Sequence, residues 1–177
     1  MKTKFLFLFA AVILMVLGSC NSTIYFTQEM RNELNNNSLN VEDVQFYTSK
    51  KLVLKRNLTY DETKIARGEI KIENGQYVEE IIIPKNTPGV AVNFNSKRID
   101  VAFERGDNRD LKFMVNDDNL YQITALSWNN EFGKVQYDTL FYHLVPGSDK
   151  TYLKVKKDNI YKFQKNKRVL KGRTVGN

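Results

Sequence analysis

From Val44 to Val155 apolar residues return at every second position, and turn residues cut the runs every 8 to 12 positions. Alternation of this kind places successive side chains on opposite faces of a pleated strand, and it does not fit a helix, whose faces repeat every 3.6 residues. Val44, Phe46 and Thr48 alternate with Gln45 and Tyr47, and Ser49-Lys50 reads as a turn into Leu52, Leu54 and Leu58, a first hairpin. Ala66, Gly68, Ile70 and Ile72 alternate with Arg67, Glu69 and Lys71. Asn74-Gly75 then supplies the two positive-φ residues of a type I′ turn. Gln76 to Ile83 returns with Tyr77, Ile81 and Ile83 on one face, and Pro84 with Thr87-Pro88-Gly89 ends that strand.

Val90, Val92 and Phe94 form the next strand, with Ile99, Val101 and Phe103 as its mate across Asn95-Ser96. Gly106-Asp107-Asn108 turns into Leu111, Phe113 and Val115, and Asn116 to Asn119 turns into Tyr121, Ile123 and Ala125. From Val135 one strand carries Tyr137, Thr139 and Phe141 on one side and Leu140, Tyr142 and Leu144 on the other. Pro146-Gly147 breaks it, and Leu153 with Val155 make the last strand. The expectation is an all-β domain of about ten short antiparallel strands, in a barrel or a sandwich. Leu126 to Trp128 and Leu140 to Leu144 are apolar on both sides, which means sheet covered on two faces or an exposed edge used for binding. No sequence repeat of fixed period points to a propeller or solenoid.

A short helix is expected at each end. Thr27 is placed to cap one in which Met30 and Leu34 share a face, and Asp158 to cap one running to about Lys165 with Ile160 and Phe163 inward. Composition narrows the class further: 42% apolar residues with 12% aromatics exceed what a disordered chain carries, and a single Cys excludes disulfide frameworks and Cys-based zinc motifs.

Lys2 and Lys4 precede 13 residues, Phe5 to Leu17, without a charge, too short for the ~20 residues that span a bilayer. The length is that of a signal-peptide core. It ends in Leu17-Gly18-Ser19-Cys20, which resembles the lipobox of bacterial lipoproteins. That resemblance implies removal of residues 1–19, and a Cys20 that carries diacylglycerol and an acylated amine. Each buried CH₂ adds ~0.8 kcal/mol to anchoring, so two or more chains hold a domain on a leaflet. By the same resemblance, Asn21 after the cysteine implies no inner-membrane retention, which favours the periplasmic face of an outer membrane. Phe26-Thr27-Gln28, Gln45-Phe46-Tyr47 and the Lys171-Gly172-Arg173 ending are loosely similar to small lipoproteins of the Bacteroidota. The organisation expected is a signal peptide (1–19), a lipidated tether with a short helix (20–40), the β domain (41–157) and a basic segment (158–177).

The formal charge of +7 is unevenly placed: from Asp149 to Asn177 ten basic residues face two acidic ones. Lys162, Lys165, Lys167, Arg168, Lys171 and Arg173 either attract anionic headgroups, at ~1 kcal/mol each near such a surface, or form a solvated tail. Export and the scarcity of aromatics there argue against nucleic acid as a partner.

Catalytic signals are sparse. His143 is the only histidine and is expected packed on a strand, on the face of Tyr137 and Phe141. No Gly-x-Ser-x-Gly or His-Glu-x-x-His pattern occurs, and no metal site or cofactor is expected. Glu79 and Glu80 point to opposite faces, and Asp117-Asp118 falls in a turn. Arg105-Gly106-Asp107 reads as a hairpin turn. Asp138-Thr139-Leu140 resembles an O-glycosylation pattern of the Bacteroidota but reads as a strand triplet with Thr139 inward. The function expected is non-enzymatic: an envelope interaction or assembly module, with Trp128, Tyr137 and Tyr142 as interface residues if they face outward. The alternatives are a lipocalin-like carrier with Phe103, Phe113 and Ile123 lining its cavity and, third, a hydrolase of envelope polymers.

Overall fold

A computed structural model describes residues 22–64 and 69–158. They hold thirteen strands in two antiparallel sheets, so the fold is a β-sandwich and not a closed barrel. The strands are β1 (Thr23–Tyr25), β2 (Gln45–Thr48), β3 (Leu52–Leu58), β4 (Glu69–Glu73), β5 (Gln76–Ile83), β6 (Pro88–Phe94), β7 (Arg98–Ala102), β8 (Asp110–Val115), β9 (Tyr121–Ile123), β10 (Ser127–Asn129), β11 (Phe132–Tyr137), β12 (Leu140–Leu144) and β13 (Leu153–Lys156), with one helix, α1 (Gln28–Asn36). The first sheet runs β1-β13-β2-β6-β7-β8-β9 and the second β10-β11-β12-β3-β5-β4. No helix among the described residues is long and apolar enough to cross a membrane.

Inward residues from both sheets interdigitate, as expected of stacked sheets ~10 Å apart. Phe46, Leu52, Leu54, Ile99, Val101, Leu111, Phe113, Leu144, Leu153 and Val155 are all at most 1% exposed. Phe113 and Ile123 thus belong to the packed core and do not line a barrel interior. The Thr27 cap is formed, its Oγ1 accepting from the Met30 amide at 3.2 Å. Helix α1 docks through Leu34 and through buried Arg31, whose guanidinium donates to the Tyr121 hydroxyl at 2.9 Å.

The Asn74-Gly75 turn is as expected, with φ of 50° and 77° joining β4 to β5. Other features depart from the sequence reading or add to it. Ser49-Lys50 does not close a hairpin: β2 pairs with β13 and β6, while β3 pairs with β12 and β5, so this link crosses between the sheets. Buried Thr48 holds the crossing, its Oγ1 donating to the Pro84 carbonyl at 2.8 Å. Val90 and Val92 face out, at 47% and 52% exposed, because Gly89 and Ala91 take the inward positions of β6. The run from Val135 to Leu144 is not one strand. Asp138 and Thr139 take φ of 52° and 75°, a two-residue turn that places β11 and β12 side by side. Finally, β1 in the polar N-terminal stretch was not expected as a strand; three residues are too few to show a period. Ala66 and Gly68, and the expected helix beyond Asp158, lie outside the described residues.

Thr27→Ala removes the side-chain acceptor of the Met30 amide at the start of α1. It is expected to lower stability by ~1 kcal/mol, measured as a shifted urea midpoint with an unchanged slope.

Candidate functional site

The hairpin at Asp138-Thr139 decides where the chemistry lies. Strands β11 and β12 fold back on each other, so Tyr137 pairs with Leu140 and both Tyr137 and Tyr142 point between the sheets. Each is 2% exposed, which corrects their expected place on an outward interface. Their rings meet edge to face at 6.4 Å. Beside them opens a polar cleft of about 650 Å³, bordered by Arg56, Glu62, Glu79, Glu104, Arg109, Asp138, Leu140 and Ile81.

The polar groups form two sets of the same design. In the first, Arg56 on β3 pairs across the sheet with Glu79 on β5. The Arg56 Nε donates to Glu79 Oε2 at 2.5 Å, and the Tyr142 hydroxyl donates to that same oxygen at 3.0 Å. Arg56 Nη1 also reaches Glu62 Oε1 at 2.9 Å, and its guanidinium lies 5.7 Å from the Tyr142 ring centroid. In the second set the Tyr137 hydroxyl donates to Glu104 Oε1 at 2.9 Å, while Arg109 bridges Glu104 at 3.4 Å and Asp138 at 3.0 Å. Gly106 makes room for this bridge: a Cβ there would sit 2.8 Å from the Arg109 Nε.

These contacts fix the charge states. The Thr59 amide, then Arg56, hold the Glu62 carboxyl down at about 2, from an ordinary 4.5. Its stabilising contacts are therefore complete above pH 4.5 and lost as pH falls through about 2. Burial, followed by the Glu79 charge, pushes the Tyr142 phenol up to about 12, and burial with Glu104 raises Tyr137 as well. Both phenols stay donors across the physiological range.

A second feature lies at the edge of the second sheet. Trp128 is 43% exposed on β10 and lies over Gly133, where a Cβ would come within 2.7 Å of its ring. Leu126, Phe132, Leu140 and Phe141 nearby are 58%, 48%, 39% and 49% exposed. Of β10, β11 and β12 only β10 is an edge strand; β12 lies inside the sheet between β11 and β3, with Tyr142 and Leu144 buried on its inner face and Phe141 exposed on its outer face. Phe132 and Phe141 also line an outer groove of about 420 Å³ with Lys55, Glu73, Val78 and His143.

His143 is exposed on that outer face, opposite to Tyr137 and Tyr142, so the expected packed histidine is corrected. Asp138-Thr139-Leu140 is a hairpin tip with Thr139 exposed, and not a strand triplet. Glu79 and Glu80 do point apart: Glu80 turns outward to Lys71 and Lys55. No local pattern signals that Glu79, Arg56, Glu62, Glu104 and Arg109 converge, because they come from separate segments. Cys20, Lys162, Lys165, Lys167, Arg168, Lys171 and Arg173 lie outside the described residues. Among the described residues no group of three His, Cys, Asp or Glu could hold a metal. No protein-family model, curated protein or solved structure matches this chain.

Arg56→Met removes the guanidinium that donates to Glu79, a carboxylate buried at 2% exposure. The expected loss is about 3–5 kcal/mol, read from denaturant unfolding. The phenols make an alkaline test. The raised pKa of Tyr142 contributes stability in full below pH 10.0, and the contribution disappears as pH rises through about 12. In an absorbance titration at 295 nm, Tyr142→Phe is expected to remove one late-ionising phenol; an unchanged late phase would contradict this assignment.

Proposed function

We propose that this chain is a lipid-anchored protein of the cell envelope, and that its β-sandwich is a non-enzymatic interaction module. The partner is another envelope protein, docked on the β10–β12 edge. The observation that supports this most is the exposed aromatic surface on both faces of that edge: Phe132 and Phe141 line the outer groove, and Trp128 lies over Gly133 on the other face. Trp128, Phe132 and Phe141 keep 43%, 48% and 49% of their surface in water although the core beneath is well packed. Large aromatics at the centre of a dry contact contribute most of the energy of a protein interface. Exposed apolar surface that lines a groove, as Phe132 and Phe141 do, marks interaction sites on protein surfaces.

The lipobox-like Leu17-Gly18-Ser19-Cys20 supports the anchor, and Asn21 supports an outer membrane with the domain facing the periplasm. Lys162, Lys165, Lys167, Arg168, Lys171 and Arg173 would add attraction to anionic headgroups. The cleft favours binding over hydrolysis, since its carboxylates are engaged by arginines and tyrosines. A hydrolytic pair requires one carboxyl held protonated as an acid, whereas Glu62 is held ionised.

In-cell crosslinking of the full-length, lipidated protein with mass spectrometry of the adducts tests the reading. A single envelope protein is expected, lost in Trp128→Ala/Phe132→Ala while the circular dichroism spectrum is unchanged. Retention of that adduct by the double variant counts against the edge. Cys20→Ala is expected to move the protein from the membrane to the soluble fraction, and continued sedimentation with membranes counts against the anchor.

A further inference from the structure

We propose that the outer face of the first sheet, over β1, β13, β2 and β6, lies against the anionic headgroups of the leaflet that holds the Cys20 anchor. This placement rests on that anchor and adds which side of the domain meets the lipid. Phe46, Ala91, Leu153 and Val155 enter the core, so alternation leaves Tyr25, Tyr47, Val90, Val92, Lys154 and Lys156 on the outer face. None of these four strands holds an Asp or Glu. Among the described residues Lys154 and Lys156 form no ion pair. Instead the Lys154 Nζ lies 5.8 Å from the Tyr25 ring centroid, and the Lys156 Nζ 5.7 Å from that of Tyr47. An aromatic face holds a cation without cancelling its charge. Tyr25 is itself exposed and meets Tyr152 edge to face at 5.7 Å. Tyrosines and lysines side by side, with Val90 and Val92 about half in water beyond them, suit a membrane–water boundary. Phenol rings sit at headgroup level there, and ammonium groups attract lipid phosphates.

Chain length selects lipid as the occupant. Cys20 precedes Thr23, the first residue of β1, by three positions. Three residues span at most ~11 Å, so an acylated Cys20 keeps β1 close to the leaflet. That reach is comparable to the ~8 Å over which charges act at physiological salt. The other end of the domain returns to the same corner: β13 pairs with β1, and the Lys157 amide donates to the Ser22 carbonyl at 3.1 Å. After Asp158 come Lys162, Lys165, Lys167, Arg168, Lys171 and Arg173, with no acidic residue among them. The anchor, the two strand lysines and the start of the basic segment therefore share one side of the molecule. With that side on the lipid, the outer face of the second sheet points away from the leaflet. The groove lined by Phe132 and Phe141 is then left open to a protein partner.

Fluorescence quenching of the full-length, acylated protein tests the placement, in vesicles of phosphatidylethanolamine and phosphatidylglycerol that contain a headgroup-spin-labelled lipid. Acylation consumes the thiol of Cys20, the only cysteine, so one introduced cysteine takes the fluorophore. Val90→Cys reports on the proposed face, ~14 Å from β1 at three strand spacings and so beyond the tether itself. His143→Cys reports on the outer face of the second sheet, and both positions are exposed. The label at Val90 is expected to be quenched at least threefold more strongly than the label at His143. Lys154→Glu/Lys156→Glu, on the outer face, is expected to lower quenching at Val90 at least twofold. Should that variant unfold, the comparison of the two labels decides alone. Equal quenching at both positions, or stronger quenching at His143, would overturn the placement, as would undiminished quenching in a folded charge-reversed variant. Mass spectrometry separates this failure from failure of the anchor. An acylated chain with an unquenched Val90 label refutes the face alone, whereas a chain without acyl groups that stays off the vesicles refutes both.

Discussion

The second sheet is organised around an ion pair that its inner face could not leave unmade. Glu79 sits at 2% exposure on a strand face otherwise given to Tyr77, Ile81 and Ile83. A carboxylate in such a place is tolerated only when paired and hydrogen-bonded. Arg56 from β3 and Tyr142 from β12 supply the partners, so three strands are tied at one oxygen. A pair of this kind adds little net stability relative to an apolar pair, yet breaking it is costly. Here it fixes which residue of β3 stands opposite which residue of β5. That register also sends Glu80 to the outer face, where Lys71 and Lys55 meet it.

The same pair keeps the sandwich from closing completely. Where the core consists of Leu52, Leu54, Phe46 and Phe113, the sheets meet without polar groups. Toward Tyr137 and Tyr142, charged side chains need room and water, and a cleft remains. The hairpin tip at its mouth carries strain. Thr139 holds φ of 75°, a left-handed conformation that a β-branched residue adopts at a cost of ~1–3 kcal/mol. The Arg109 bridge to Asp138 secures that tip to the loop between β7 and β8.

Much of the strand pattern was legible because it rests on local chemistry. Asn74-Gly75 announced its turn through residues that accept positive φ, and Thr27 announced its helix through a side chain that caps it. The tip at Asp138-Thr139 gave weaker notice: Asp138 tolerates positive φ, but β-branched Thr139 does not favour it, and the alternation runs straight through. Reading one strand there put His143 with Tyr137 and separated Tyr137 from Tyr142. The fold does the opposite on both counts. Ser49-Lys50 misled in the other direction, since turn residues also serve a link between two sheets.

The sequence by itself determined the all-β class, most strand positions and the opposite facing of Glu79 and Glu80, because period-two alternation and turn chemistry act over neighbouring residues. Tertiary structure decided which strands pair, which face of β6 is inward, and that Tyr137 and Tyr142 are buried donors. It alone assembled the cleft. Arg56, Glu79, Glu104 and Arg109 lie far apart along the chain and gain a common site only when two sheets stack, since the burial that drives their pairing does not exist until the sandwich forms.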